Sequence, residues 1–172
     1  MRLRIYWKKK MRDKTKDLSM MVGEVKFNYR AGLLIEKGNK ILVECNPEID
    51  FVTLPGGKVQ TLESSMEALQ REILEEMNIN LDTTKLKMRA IIENFFEMDE
   101  KKYHELYFLY KLKVNKENEF SKVNKNMDSK ANYYKWVRKQ DLDKENLLPV
   151  TLRKIVLSNK FENIVVNDLK KA

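Results

Sequence analysis

Three glutamates at the end of one stretch are the residues best suited to chemistry. Glu72, Glu75 and Glu76 fall at spacings of three and four, which bring side chains together on a helix. Carboxylates this close repel one another unless a cation joins them. Hard divalent ions such as Mg2+ or Mn2+ prefer oxygen ligands of this kind. The pattern indicates a metal site, and the alternative interpretation is an acidic helix face in contact with water.

The glutamates follow a loop that can bring its backbone close to another group. Pro55, Gly56 and Gly57 do not continue a helix, and glycine permits a close approach of the backbone. Ser64 and Glu67 then form a capping-box pattern, which predicts the start of a helix. We expect the carboxylates on a different side of this helix from its apolar residues. The apolar side is predicted to contain Met66, Leu69, Ile73, Leu74 and Met77.

The spacing over residues 57–79 resembles the Nudix box, G-x5-E-x7-R-E-U-x-E-E-x-G-U, in which U is aliphatic. The chain matches at Gly57, Glu63, Arg71, Glu72, Ile73, Glu75, Glu76 and Ile79. Asn78 stands where the motif has its last glycine, and Asn is the next residue to tolerate the left-handed conformation that closes a helix. Because this departure leaves the carboxylates intact, the chain is identified as a member of the Nudix hydrolase (MutT-like) superfamily.

The resemblance implies a fold and a reaction. The fold would be α/β, a Nudix-type α/β/α sandwich in which helices flank a mixed β-sheet. The reaction would be divalent-metal-dependent hydrolysis of a diphosphate linkage in a small nucleoside diphosphate derivative, such as a (d)NTP, an oxidised nucleotide or a nucleotide sugar. Two alternatives are a non-catalytic Nudix-fold domain that binds nucleotides and an RNA 5′-end pyrophosphohydrolase that uses a basic arm.

The resemblance also implies roles for single residues. Arg71 would hold a carboxylate in place by a bidentate contact, and Glu63 would be its partner or a weak outer ligand of the metal. Glu72 or Glu75 would also activate the attacking water, and the sequence does not choose between them. The expected ligands of a Mg2+ or Mn2+ cofactor are the carbonyl oxygen of Gly56 and the carboxylates of Glu72, Glu75 and Glu76.

A long hairpin predicted over residues 86–114 offers candidates outside the motif. Glu105 is a candidate for an additional catalytic base or metal ligand, with Glu97 as a second. His104, the single histidine, is more often a structural residue in such a position. Aromatic side chains in strands usually pack in the core, but they can also stack on a nucleobase. The aromatic candidates are Phe95, Phe96, Tyr107 and Tyr133.

The net charge of +8 is concentrated at the N-terminus. Residues 1–19 contain eight Lys or Arg against two Asp, which leaves a net charge of +2 for the remainder. We therefore divide the chain into a basic N-terminal arm over 1–19, with an apolar cluster at Ile5, Tyr6 and Trp7, and a single Nudix domain over 20–172. A basic arm can contact nucleic acid, but a solvated segment is commoner. The expected partner is a small-molecule nucleotide.

Composition favours a cytoplasmic location. No apolar run approaches the ~20 residues needed to span a bilayer, and no signal peptide is recognised, so no membrane partner is expected. Cys45 is the single cysteine, which excludes an internal disulfide and favours a reducing compartment. It lies among apolar residues of a predicted strand, where a thiol is inert. Whether the chain forms a homodimer is left open.

Alternation and turn residues predict the other elements. We expect a mobile loop over the polar residues 115–130. A last helix is predicted from Pro149 to about Leu157, with Val150, Ile155 and Val156 buried. The predicted strands cover 22–29, 30–36, 40–45, 58–60, 86–98, 103–114 and 133–137.

Overall fold

A computed structural model describes residues 14–115 and 117–171. The cluster Ile5, Tyr6 and Trp7 and most of the predicted arm lie outside these residues. Within them, two helices accompany nine strands that join in one sheet. The helices are α1 (Ser65–Met77) and α2 (Thr151–Leu157). The strands are β1 (Ser19–Val22), β2 (Val25–Lys37), β3 (Lys40–Cys45), β4 (Val52–Thr53), β5 (Gly56–Lys58), β6 (Lys87–Met98), β7 (Lys101–Lys113), β8 (Tyr133–Arg138) and β9 (Glu162–Asn167).

Strands β2 and β7 form the centre of the sheet. They pair in parallel from Val25 opposite Lys102 to Glu36 opposite Lys113. Strand β7 is antiparallel to β6, which in turn pairs in parallel with β9, so the sheet is mixed. The predicted break between residues 29 and 30 is absent, because neither residue forms a turn, and β2 continues through both.

The β2–β3 hairpin opens soon after its turn. The two strands pair only at Glu36 with Ile41 and at Lys37 with Lys40. On its other edge β3 pairs with β8 along its whole length, whereas β2 pairs farther along with the short strand β5. This short strand was predicted at residues 58–60, but it begins at Gly56 because the glycines themselves pair with β2. The separation of β2 from β3 leaves a gap in which the glycine-containing strand lies.

Each face of the sheet carries its own core. On one face Leu69 and Ile73 of α1 pack with Leu33 of β2. On the other face Leu152 of α2 packs with Leu34. Since alternate side chains of one strand point to opposite faces, a helix covers each side of the sheet. This arrangement confirms the predicted α/β/α sandwich.

Helix α2 differs from its prediction at its first turn. It begins at Thr151, so Val150 is 65% exposed and Leu152 takes the buried position. A β-bulge in β6 lies between Met88 and Ala90, and Arg89 there donates hydrogen bonds to the carbonyl oxygens of Ile155 and Ser158. Arg89 therefore caps the end of α2. No helix within the described ranges combines the length and the apolar character needed to cross a membrane.

Candidate active site

Helix α1 is fixed at both ends. The Ser64 hydroxyl accepts from the Glu67 backbone, and the Glu67 carboxylate accepts from the Ser64 backbone, which confirms the capping box. Ser65 and Tyr110 of β7 share a hydrogen bond of 2.7 Å, which ties the first turn to the sheet. Asn78 closes the helix with φ 56° and ψ 34°, the predicted left-handed conformation. The helix is therefore held rigidly where its carboxylates project.

Both glycines before the helix are required by close contacts. A side chain on Gly56, whose φ is 141°, would collide with the Ala31 carbonyl oxygen. A Cβ on Gly57 would lie 2.7 Å from Oε2 of Glu72 and closer still to its Oε1. The Glu72 carboxylate thus lies against the bare backbone of β5. The absence of a side chain at Gly57 therefore allows the Glu72 carboxylate to contact β5.

Arg71 organises the carboxylates around this strand. Its Nε and Nη2 donate to the two oxygens of Glu63 at 2.8 and 2.9 Å, which confirms the predicted bidentate pair. Its Nη1 donates to Glu72 at 2.8 Å and lies 3.5 Å from Glu75, while Nη2 also donates to the Lys58 carbonyl at 3.0 Å. Burial alone lowers the pKa of Arg71, but the Glu63 and Glu72 carboxylates raise it overall. All three of its nitrogens donate to protein atoms.

The prediction that the carboxylates occupy a separate side of α1 was wrong for two of them. Glu72 is 1% exposed and Glu76 9%, on the same side as Leu69 and Ile73. Leu74, predicted to be buried, is 40% exposed. The physical reason is that Glu72 meets the glycine strand and Glu76 meets β8, so the buried side is rotated toward them.

A polar network that the sequence did not reveal holds Glu76. The Tyr134 hydroxyl donates to Glu76 at 2.9 Å and accepts from Asn126 at 3.0 Å. Asn126 also donates to Glu44 of β3 at 2.8 Å. Burial, and then the Glu76 and Glu44 carboxylates, raise the pKa of Tyr134, which keeps its hydroxyl protonated as a donor. Since these residues come from four separate segments, no periodic pattern indicates the network.

This network also anchors the loop that was predicted to be mobile. The Met127 backbone donates to the Glu76 carbonyl oxygen, in the last turn of α1, at 2.7 Å. Earlier in the same loop, Phe120 is 3% exposed within a short 3-10 helix, Glu119–Lys122. Polar composition predicted mobility, but buried contacts that are distant in sequence tie the segment to α1 and β8.

The donor set suits a divalent cation. Across residues 14–115 and 117–171, no three carboxylate, imidazole or thiolate groups already converge in a metal-binding arrangement. Arg71 lies between Glu72 and Glu75, and Tyr134 holds Glu76. The available donors are nevertheless all hard oxygens, as Mg2+ and Mn2+ prefer. The Glu72 carboxylate fills the space that a Cβ on residue 57 would take, which fits a site built around that oxygen.

Glu105 lies beside an arginine. Its carboxylate is 4% exposed, 3.8 Å from Nη1 of Arg30, and accepts from Asn94 at 3.5 Å. It projects from the same side of β7 as Tyr107 and Leu109, which belong to the core under α2. The structure therefore places this candidate in an ion pair with β2, whose importance was not recognised from the sequence.

The other hairpin candidates lie toward its tip or in aromatic clusters. Glu97 is exposed and pairs in register with Lys102, one residue beyond the start of β7. The His104 ring lies 5.6 Å from that of Phe27 and 4.6 Å from that of Phe95, a structural role. Phe96 stacks on Tyr103 and Tyr107 is buried, whereas Tyr133 is 41% exposed.

Comparison with known proteins identifies the family. The NUDIX domain family matches residues 27–157. The chain therefore belongs to the NUDIX family, as the motif indicated, and is a Nudix pyrophosphohydrolase, a class that acts on nucleotide derivatives. No curated protein matches the sequence significantly.

Solved structures share the fold. A MutT protein from Bacillus halodurans has a TM-score of 0.60 at 14% identity, over 82% of this chain and 91% of that one. The MutT protein from Methanosarcina mazei has a TM-score of 0.51 at 26% identity, over 76% and 91%. An Ap4A hydrolase from C. elegans has a TM-score of 0.51 at 22% identity, over 76% and 93%.

Proposed function

We propose that this protein hydrolyses a diphosphate linkage in a small nucleoside diphosphate derivative, with Mg2+ as cofactor and Mn2+ as a substitute. The observation that carries the proposal is the burial of Glu72 and Glu76 on α1 beside Glu75 and the glycine strand. Burying carboxylate charge is unfavourable unless cations compensate it. Arg71 contacts three carboxylates but carries only one positive charge. A divalent ion bound among these carboxylates would add positive charge beside them.

The proposed ligands are the Gly56 carbonyl oxygen and the carboxylates of Glu72, Glu75 and Glu76. When bound, a divalent ion neutralises phosphate charge and lowers the pKa of water. Arg71 fixes Glu72 against Gly57, while Tyr134 fixes Glu76. Either Glu72 or Glu75 accepts a proton from the attacking water. The water oxygen then bonds to phosphorus. The P–O–P linkage breaks, and the leaving phosphate departs with the bonding electrons.

The names of the structural neighbours support the substrate class. Two of them are MutT proteins and one is an Ap4A hydrolase, which acts on a dinucleoside polyphosphate by its name. We place the activity in the cytoplasm, because the single cysteine is buried and free. A nucleotide joined through phosphates to a second group is the substrate type that these observations favour.

A hydrolysis screen tests the proposal. Purified protein with Mg2+ or Mn2+ is incubated with (d)NTPs, 8-oxo-dGTP, nucleotide sugars, Ap4A and 5′-triphosphate RNA, and products are identified by mass. We expect one class to be cleaved, and Glu75→Gln to lower the rate on the order of 100-fold or more, since it removes a ligand of a catalytic metal. The control Glu48→Gln changes an exposed carboxylate in a turn and should keep the rate.

Two outcomes would contradict the proposal. A normal rate in folded Glu75→Gln protein would remove Glu75 from the site. Saturable nucleotide binding without turnover would instead support a non-catalytic binding domain.

If RNA is the substrate, removal of residues 1–13 should weaken RNA binding and its salt dependence. This truncation keeps the hydrogen bond from Leu18 to Val59 that holds the following segment on the domain.

A further inference from the structure

Arg30 lies next to the point where the glycine strand meets the sheet. In β2, Ala31 pairs with Gly57 and Arg30 pairs with Lys58. On its other side Arg30 pairs with Tyr107 of β7. Because side chains alternate along a strand, Arg30 points away from the face on which Ala31 meets α1. The Arg30 side chain therefore lies on the face of the sheet from which Glu105 and Tyr107 of β7 project.

The Arg30 guanidinium has a donor that no described residue of the chain uses. Its Nη1 lies 3.8 Å from Glu105, which is longer than a hydrogen bond. Its Nε is buried and has no hydrogen-bond partner in the part of the chain that the structure describes. A buried donor left unpaired is costly, so such an atom calls for a ligand. Arg71 is different, because each of its nitrogens already donates to the protein.

Access distinguishes Arg30 from another arginine with buried, unpaired nitrogens. Within the described ranges, Nε and Nη1 of Arg89 also have no partner, but that residue is 3% exposed and caps α2. The side chain of Arg30 is 32% exposed, so a ligand can reach it. Beside it, the Tyr107 hydroxyl fills the position that a Cβ on Gly32 would occupy. The absence of a side chain at Gly32 thus allows Tyr107 to pack beside the accessible Arg30 side chain.

Carboxylates from three elements act electrostatically on this cation. Burial alone lowers the pKa of Arg30, but Glu105 of β7, Glu44 of β3 and Glu72 of α1, together with Tyr107, raise it overall. Glu72 belongs to the proposed metal-binding set, so Arg30 is electrostatically coupled to that set. A positive group with an unpaired donor beside the proposed site has the properties of an anion-binding residue.

We propose that Arg30 binds the diphosphate of the substrate, with the accessible part of its guanidinium donating to non-bridging phosphate oxygens. This inference rests on the proposed function and extends it, because it assigns the substrate's phosphate to a residue outside the Nudix motif. Arg71 holds the carboxylates, and Arg30 holds the substrate. Glu105 stays paired with the guanidinium through Nη1.

Binding of α,β-methylene-ADP and α,β-methylene-GDP with Mg2+, measured by calorimetry, tests the inference. Their P–C–P bridge cannot be hydrolysed, so affinity is measured apart from turnover. We expect Arg30→Gln to weaken binding by about 10-fold or more, because charge-assisted hydrogen bonds to phosphate are lost. Arg30→Lys should recover only part of it, since an ammonium lacks the planar fork. The control Arg138→Gln removes an equal charge from an exposed pair with Asp141 and should bind as wild type.

A double variant separates ligand binding from charge compensation within the protein. Arg30→Gln leaves the buried Glu105 without its cation, which could disturb the fold, whereas Arg30→Gln with Glu105→Gln removes both charges. We expect the double variant to melt near wild type and still bind weakly. Wild-type affinity in the double variant, or in Arg30→Gln alone, would overturn the role of Arg30 and leave the proposed function intact. If wild type neither binds these analogues nor hydrolyses any nucleotide, the proposed function fails and the inference fails with it.

Discussion

The Glu72 carboxylate occupies the space that a side chain on Gly57 would need. A Cβ there would lie 2.7 Å from Oε2 and closer to Oε1, whereas Arg71 donates to Oε1 from the other side at 2.8 Å. The carboxylate is therefore confined between a glycine backbone and a guanidinium. The position of this glutamate depends on the absence of one methyl group fifteen residues earlier.

Gly57→Ala should damage activity more than stability. The added methyl meets the end of a flexible side chain, so Glu72 can move aside but leaves its place in the site. We expect kcat to fall by about 10- to 100-fold, as when a metal ligand loses its support. Steady-state kinetics and thermal melting measure the two effects. Gly38→Ala is the control, because its φ of 60° strains the backbone in open space and should lower stability without lowering kcat. Full activity of folded Gly57→Ala would contradict the arrangement.

The buried side of α1 is tested by a pair of leucines. Leu69 is fully buried, so Leu69→Ala should lower the free energy of unfolding by about 2–5 kcal/mol. Leu74 is 40% exposed, and Leu74→Ala should change it by less than about 0.5 kcal/mol. Urea denaturation of both variants gives the comparison. Equal losses at the two positions would mean that the helix face is assigned incorrectly.

Helix α1 shows what periodicity predicts and where it fails. Leu69 and Ile73 were correctly placed in the core, but Leu74 was not. A count of apolar residues treats glutamate as an outward-facing residue, whereas Glu72 and Glu76 are buried because they have polar partners there. The proposed metal ligands thus break the pattern that identifies the rest of the helix.

Features that depend on residues close together in the sequence were predicted correctly, whereas contacts between residues far apart in the sequence were not predicted. The capping box, the left-handed Asn78 and the Arg71–Glu63 pair depend on residues within one short stretch, and all three are present. The contact of Arg30 with Glu105 depends on the parallel pairing of β2 with β7. A single sequence carries no direct signal of which strands will pair, so residues joined by sheet register could not be found.

The ion cluster at Glu36 predicts a pH dependence of stability. Glu36 is 4% exposed and lies 2.9 Å from Lys111 and 2.7 Å from Lys139. Burial alone raises its pKa, but the two ammonium groups lower it overall below the ordinary value of 4.5. Since the pKa is lower in the folded state, the ionised group stabilises the fold above the unfolded pKa. That contribution is lost as the pH falls through the folded pKa.

Urea denaturation of wild type and Glu36→Gln between about pH 7 and pH 3 measures this contribution. Wild type should be the more stable by a constant amount down to about pH 5, and the difference should shrink at lower pH. A difference that stays constant or grows toward pH 3 would contradict the lowered pKa of Glu36.

The hydrogen bond from the Met127 backbone to the Glu76 carbonyl oxygen gives the surface loop a structural role that its composition did not predict. Polar loops of this composition are usually where insertions, tags and proteolytic nicks are tolerated. Here Asn126 and Met127 attach to the network that holds Glu76, so the loop's second half is part of the scaffold of the site. For protein engineering, residues 126–130 are therefore a poor place to insert a sequence, although their composition resembles that of a flexible linker.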